Sequence, residues 1–249
     1  MSGTGYDLYV TTFSPDGKIF QVEYAVKAVE TSETTIGVVC KDGVILGSEK
    51  LRITDLIVEN TNPKNFTIDK KIGMSIGGRL PDGKNIVNRA RDEAKGYRQN
   101  YGIDINGTTL TERIGQYVHM HTLYFAYRPF GCNVMIASAD SDGYKLHMVE
   151  PSGSFLGYYG CASGKGKTIA KGELDKRNFR ELTCREALFH IAKILHKTHE
   201  EFKDKKFELD LTWICKESND EHTRVPEDLQ REAEEKAKKA IEEEEMGVQ

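Results

Sequence analysis

The sequence predicts an α+β fold in which two antiparallel sheets stack face to face and each outer face carries a pair of helices. Three observations support this fold class. β-rich runs are grouped apart from helical segments, Asp-Gly pairs separate neighbouring β-rich runs, and apolar residues recur at helical spacing in adjacent pairs of segments. The order is strands, helix pair, strands, helix pair, so we expect a four-layer αββα sandwich.

A turn and a short helix open the chain. Pro15 pre-sets φ, Asp16 can bond backbone amides ahead of it, and Gly17 tolerates the dihedral angles of a reversal. The following residues alternate at helical spacing between two apolar sides, formed by Phe20, Tyr24 and Ala28 and by Val22, Val26 and Val29. We therefore expect a helix whose wide apolar stripe is buried against another surface.

The first strand group reads as two hairpins, and two helices follow it. Asp42-Gly43 joins residues 35–41 to 44–49, and Lys70-Lys71 joins residues 66–69 to 72–76. The first helix is predicted from about Pro81 to just before Gly102. The spacing of Thr109 and Glu112 fits a capping box, which predicts a second helix that continues up to Arg128-Pro129.

The second half repeats this arrangement. Strands are predicted at 133–139, 144–149, 155–162 and 208–216, and helices at 167–178, at 183–202 after a Thr183–Glu186 capping box, and from Pro226 onward. No interdomain linker is evident. The interpretation is a tail and turn at 1–16, one domain at 17–241, and a solvated acidic tail at 242–249.

Composition limits the classes of function. The 249 residues are 38% hydrophobic, which is enough for one large domain, although length alone would also allow two. The net charge of −4 gives no support for a nucleic-acid or anionic-membrane partner, and no apolar run approaches membrane-spanning length. The five cysteines are odd in number and stand singly, so we expect buried reduced thiols, no cofactor, and a cytoplasmic and nuclear location.

Two motifs suggest other chemistry. Residues 160–168 end in the Gly-Lys-Thr of a P-loop, but the preceding glycine is one residue too far away, so a strand-to-helix turn is the favoured interpretation. His196 and His199 have a spacing that can ligate zinc, but no matching second pair is evident. We interpret them as surface polar or core histidines.

One literal run decides the family resemblance. Phe13–Ala25 reads Phe-Ser-Pro-Asp-Gly-Lys-Ile-Phe-Gln-Val-Glu-Tyr-Ala, and it resembles the signature of proteasome α-type subunits. Residues 34–37, 128–131, 151–153 and 207–209 extend the similarity over nearly the whole chain. The resemblance implies the αββα fold of N-terminal nucleophile hydrolases. It also implies a place in the seven-membered α ring of the 20S core, with neighbouring α subunits and β-ring subunits as partners.

The resemblance also implies two sites. Tyr6, Asp7, Pro15 and Tyr24 match a gate cluster that holds the N-terminal tails open when an activator docks, although Leu8 replaces the usual arginine. Lys64 and Gly78 match a pocket that receives the C-terminal carboxylate of regulatory particle ATPases or other activators. Arg79 stands where a leucine is common.

The same comparison argues against catalysis. In proteasome β subunits the nucleophilic threonine lies four residues before a strand glycine, and here Gly37 places Glu33 at that position. Glu49 and Lys64 fall near the positions of the catalytic acid and lysine, the latter after a one-residue gap. Without a nucleophile we expect a non-catalytic subunit. The alternative is a self-processing hydrolase that starts at Thr34 or Thr35.

Overall fold

The computed structural model describes residues 5–52, 54, 56–58, 61–200 and 207–247. Residues 1–4 of the predicted tail, the predicted helix end at Phe202 and the last two residues lie outside this set. The elements are α1 (Phe20–Glu30), β1 (Thr35–Cys40), β2 (Gly43–Leu51), β3 (Asn65–Asp69), β4 (Ile72–Gly78), α2 (Leu80–Tyr101), α3 (Gly107–Met120), β5 (Cys132–Asp140), β6 (Gly143–Val149), β7 (Phe155–Gly157), β8 (Gly160–Ser163), α4 (Lys167–Asp175), α5 (Cys184–Glu200), β9 (Phe207–Cys215), β10 (His222–Arg224) and α6 (Glu227–Gly247).

The strands form two sheets of five. The first sheet has the order β10-β9-β2-β1-β8, and the second has the order β3-β4-β5-β6-β7. Every strand pair is antiparallel. Both predicted hairpins are present, with Cys40 opposite Gly43 in the first and Asp69 opposite Ile72 in the second.

Three apolar clusters mark the three interfaces between layers. One joins the first sheet to α4, α5 and α6, a second joins the other sheet to α2 and α3, and a third lies between the sheets. Side chains alternate accordingly, since Ile45 of β2 faces the helices whereas its neighbours Val44 and Leu46 face the opposite sheet. The predicted αββα sandwich is confirmed, and α6 packs outside α5 as an additional helix.

The start and end of α3 differ from prediction. Asn106 is the N-cap, and its Oδ1 accepts a hydrogen bond of 2.7 Å from the amide of Thr109. Asn106 caps the helix three residues before the predicted box, so the Thr109–Glu112 box was wrong. The helix ends at Met120 rather than near Arg128. By contrast, the predicted box at Thr183 is present, because the Glu186 carboxylate accepts a 2.8 Å bond from the Thr183 amide.

The predicted strand at 155–162 is two strands. β7 pairs with β6 in the second sheet, whereas β8 pairs with β1 in the first. The amide of Tyr158 donates to the carbonyl of Leu146 in the second sheet, and the carbonyl of Tyr159 accepts from the amide of Val39 in the first. The chain therefore crosses between sheets within two residues, and a continuous β-rich run cannot show such a crossing.

All five cysteines are free and buried, as predicted. Three of them meet around Gly43, which lies between Cys40 and Cys215 in the cross-strand register. A Cβ atom built on Gly43 would lie 2.7 Å from the Sγ atom of Cys184, the first residue of α5. The missing side chain at Gly43 therefore makes room for the start of α5 on the sheet.

The last helix contains the acidic end of the chain. α6 continues through Gly247, Ile241 is buried, and Lys193 of α5 forms an ion pair of 2.5 Å with Glu244. Residues 242–247 are thus the last helical turns. In the part of the chain that the structure describes, no helix is long and apolar enough to cross a membrane.

Candidate functional site

The N-terminal turn is held by a residue that the sequence interpretation did not use. Gly17 has φ of 74° and donates its amide to the carbonyl of Ser14 at 2.9 Å. The Oγ atom of Ser14 accepts a 3.0 Å bond from the amide of Lys18. The expected amide bonds to Asp16 are therefore wrong, because the buried Ser14 hydroxyl occupies that role.

Two of the four predicted gate residues come together. The Tyr24 hydroxyl lies 3.5 Å from Oδ2 of Asp7, and the side-chain amide of Gln21 donates to the backbone carbonyl of Asp7. Tyr6 and Pro15 are exposed, and neither is hydrogen-bonded to that pair among the residues described. The sequence interpretation missed Gln21, although it stands in the signature three residues before Tyr24.

The apolar stripe of α1 is covered only in part. Ala25 and Val29 are buried against the ends of β4 and β5, whereas Tyr24 and the preceding Phe13 are exposed. The chain itself therefore covers only part of the stripe, and burial of the rest against another surface stays a prediction. Together with exposed Leu8 and Tyr9, this end of the molecule presents apolar and phenolic groups to its surroundings.

Lys64 lies just before β3 and is held from two sides. Its amide donates a 2.8 Å bond to Oδ2 of Asp210 in β9, and its carbonyl accepts a 3.0 Å bond from Ile76 of β4. Only 6% of its side chain is exposed. The Nζ atom lies 2.7 Å from Oε2 of Glu33, so the ammonium group is bound to a carboxylate of its own chain.

Glu33 is charged in this arrangement. Burial raises the pKa of its carboxyl, but the charge of Lys64 and its hydrogen bond lower it by more, and Lys165 adds to the lowering, so the pKa lies below its ordinary value. The two partners stand 31 residues apart in sequence. No local spacing rule predicts such a pair.

Gly78 ends β4, two residues beyond the amide that binds Lys64. Its φ is 106°, and an added Cβ atom would lie 2.5 Å from the carbonyl oxygen of Gly131, so only glycine fits both the angle and the space. Arg79 is exposed and packs its Cδ atom toward Gly131. Gly78 therefore brings the residue 128–131 segment close to β4.

Asp82 fixes that segment from the other side. Its carboxylate accepts hydrogen bonds of 2.7 and 2.9 Å from Arg128 and one of 2.8 Å from the amide of Gly131. Burial raises the pKa of Asp82, but these hydrogen bonds and the charge of Arg128 outweigh it and leave the pKa below its ordinary value. The start of α2 is thereby tied to the loop beside α1.

Glu49, which falls near the position of the catalytic acid of β subunits, lies in a buried cluster of polar groups. Glu49 is fully buried, and its Oε2 accepts a 3.1 Å bond from the amide of Thr34. Its Oε1 lies 2.7 Å from Nδ1 of His199 and 3.7 Å from Nζ of Lys165. Sequence reasoning missed the contact between His199 and Glu49, since the histidine lies 150 residues further along the chain.

The other motifs gain structural explanations. Gly164 has φ of 92° and lies against the carbonyl of Glu33, and α4 begins three residues later, so the glycine-rich segment is the predicted strand-to-helix turn. His196 is buried and packs edge to face against Phe207, with ring centroids 4.7 Å apart. Within the described ranges, no group of three His, Cys, Asp or Glu side chains could hold a metal ion.

Two protein-family models match the chain, and together they cover the N-terminal turn, α1 and most of the sandwich. Residues 29–214 match the model of the proteasome subunit family, and residues 6–28 match the N-terminal signature of its A subunits. The chain belongs to the proteasome subunit alpha family. It is thus an alpha-type subunit of the 20S proteasome core, which degrades proteins. The matched signature contains the turn, Gln21 and both residues of the Asp7–Tyr24 pair.

Relatives in the same family extend over nearly the full length of the chain. A protein from Arabidopsis thaliana named proteasome subunit alpha type-3 is 49% identical over 241 residues, which cover 97% of each chain. A protein from Schizosaccharomyces pombe named probable proteasome subunit alpha type-7 is 46% identical and covers 99% of this chain and 97% of its own. Proteasome subunit alpha type-3 of Drosophila melanogaster is 42% identical, covering 96% and 92%.

Proposed function

We propose that this chain is a non-catalytic subunit of the seven-membered α ring, and that it helps to gate substrate entry and to dock activators in the cytoplasm and nucleus. The observation that carries the proposal is Lys64, a buried ammonium group already paired with a carboxylate at 2.7 Å. A rigidly held ammonium with an oxygen partner has the chemistry needed to receive the C-terminal carboxylate of an activator tail.

Two residues just before β1 support the non-catalytic role. Glu33 provides a carboxylate where a hydrolase of this type needs a hydroxyl. The amide of Thr34 donates to the carboxylate of buried Glu49, so in the intact chain this nitrogen is a hydrogen-bonded peptide group. Intact mass of the subunit released from purified particles should give a full-length chain. A mature chain beginning at Thr34 or Thr35 would instead support the self-processing hydrolase.

Replacing Lys64 with alanine tests the docking role. The variant loses the charged donor, and a charge-assisted hydrogen bond contributes roughly 1.5–3 kcal/mol. We therefore expect the activator concentration that gives half-maximal peptide hydrolysis to rise by about tenfold. Reassembled core particles titrated with purified regulatory particle give this quantity, and native gels show whether the ring still forms.

Lys171→Ala is the matched control for Lys64→Ala, because Lys171 is an exposed lysine of α4. It removes the same charge at a distance from the Glu33 pair. Equal titration curves for Lys64→Ala and Lys171→Ala would remove Lys64 from activator docking.

Replacing Tyr24 with phenylalanine tests the gate. The change removes only the hydroxyl that lies 3.5 Å from Asp7, at a cost of about 1 kcal/mol for a typical hydrogen bond. If this pair stabilises the open state, activator-stimulated hydrolysis should fall about two- to fivefold while hydrolysis without activator stays the same. Asp7→Asn should give a loss in the same direction, and full stimulation in both variants would contradict the assignment.

A further inference from the structure

Lys64 already has a carboxylate partner within its own chain. The Glu33 carboxylate lies 2.7 Å from Nζ and so occupies a donor position of the ammonium group that an incoming carboxylate would use. The two side chains differ in freedom, since 29% of the Glu33 side chain is exposed against 6% of Lys64. Glu33 can therefore turn out to solvent, whereas Lys64 cannot follow it.

The backbone around Glu33 limits the motion to its side chain. The Glu33 carbonyl packs against Gly164, where an added Cβ atom would lie 2.4 Å from it. On one side of Glu33, the carbonyl of Ser32 accepts a 2.8 Å hydrogen bond from the backbone amide of Lys165. On the other side, the amide of Thr34 donates to the carboxylate of Glu49. Two flanking hydrogen bonds and a close glycine contact fix the chain on both sides of Glu33.

We propose that Glu33 is an internal carboxylate that occupies Lys64 in the resting subunit and must be displaced by the C-terminal carboxylate of a docking partner. This inference rests on the proposed docking role of Lys64. Exchange of one carboxylate for another keeps the buried ammonium paired at the start and the end of docking, and so avoids an isolated buried charge. The apparent affinity for the partner equals the intrinsic affinity multiplied by the fraction of subunits in which Glu33 has left Lys64.

The proposal assigns opposite effects to the two members of one ion pair. Glu33→Gln keeps the size of the side chain but loses its charge, so it competes weakly for Lys64. We expect this variant to lower the half-maximal activator concentration about three- to tenfold, whereas Lys64→Ala raises it. A purely structural ion pair predicts impaired docking, or no change, from both substitutions.

The experiment uses reassembled core particles titrated with purified regulatory particle, with peptide hydrolysis as readout and native gels to verify assembly. Glu30→Gln is the matched control, because Glu30 is an exposed acid of α1 paired with Lys27. Glu33→Ala is the second variant and must change the half-maximal concentration in the same direction as Glu33→Gln. In a Lys64→Ala background, Glu33→Gln should have no further effect, since its action passes through the ammonium group.

The outcomes separate the two proposals. Tighter docking of both Glu33 variants that disappears in the Lys64→Ala background supports the internal competitor. If Lys64→Ala weakens docking but the Glu33 variants leave it unchanged or weaken it, the competitor is wrong and the docking role stands. If Lys64→Ala has no effect, both are wrong. Equal tightening by Glu30→Gln would assign the effect to net charge and also overturn the competitor.

Discussion

Replacing Gly43 with alanine is expected to destabilise the domain by about 3 kcal/mol, at the upper end of the usual cost of overpacking a core. The added Cβ atom would lie 2.3 Å from the carbonyl oxygen of Ile214, 2.6 Å from Cβ of Cys215 and 2.7 Å from Sγ of Cys184. The first of these is a backbone atom of the adjacent strand, so a side-chain rotation cannot relieve the contact.

Denaturant unfolding of the purified chain, followed by circular dichroism, gives the difference in free energy. Gly96→Ala is the control, because an added Cβ atom there meets nothing within 4 Å and Gly96 lies inside α2. That variant should be stabilised by up to about 1 kcal/mol, since alanine favours helix over glycine. Equal stability of Gly43→Ala and the unmodified chain would refute the packing described around α5.

Acidification should destabilise the fold through His222. This side chain is buried, its Nδ1 lies 2.8 Å from the Thr67 hydroxyl, and its Nε2 has no hydrogen-bond partner among the described residues. Burial lowers its pKa from 6.5 to about 4. The unfolded chain therefore binds a proton between these two values that the folded chain does not, and up to about 3 kcal/mol of stability is lost as pH falls through this window.

A neutral replacement isolates this effect. His222→Gln cannot take up the proton and can still reach Thr67, so its unfolding free energy should fall less steeply between pH 6.5 and 4. His190 and His196 also have pKa values lowered to about 4 by burial, and they contribute equally to both proteins. Parallel curves of unfolding free energy against pH for the two proteins would show that His222 does not titrate in this way.

Local signals predicted the fold well. Asp42-Gly43, Gly102 and the Thr183–Glu186 box each mark a turn or helix end through the chemistry of a few adjacent residues, and the structure has all three. The Thr109 box failed because Asn106 offers a better cap three residues earlier. Propensity ranks possible caps poorly when two of them stand close together.

Contacts between residues far apart in the chain could not be predicted from the sequence. The signature predicted that Asp7 and Tyr24 belong to one cluster. The sequence showed that Glu33 stands at the position of the nucleophile, but it did not show that Glu33 pairs with Lys64. β10 escaped prediction because three residues carry little periodicity, yet it places His222 against β4. Such pairings depend on how two sheets stack, and no window of neighbouring residues contains that information.

The crossing at Tyr158 and Tyr159 has a mechanical consequence. At one edge of the sandwich, the covalent chain joins β7 to β8 and so links the two sheets directly. At the opposite edge, the ring of His222 in β10 packs on Gly73 of β4. A sandwich fastened along both edges resists sliding of one sheet over the other. We therefore expect a force applied at one end of this subunit to rotate the whole domain as one rigid body.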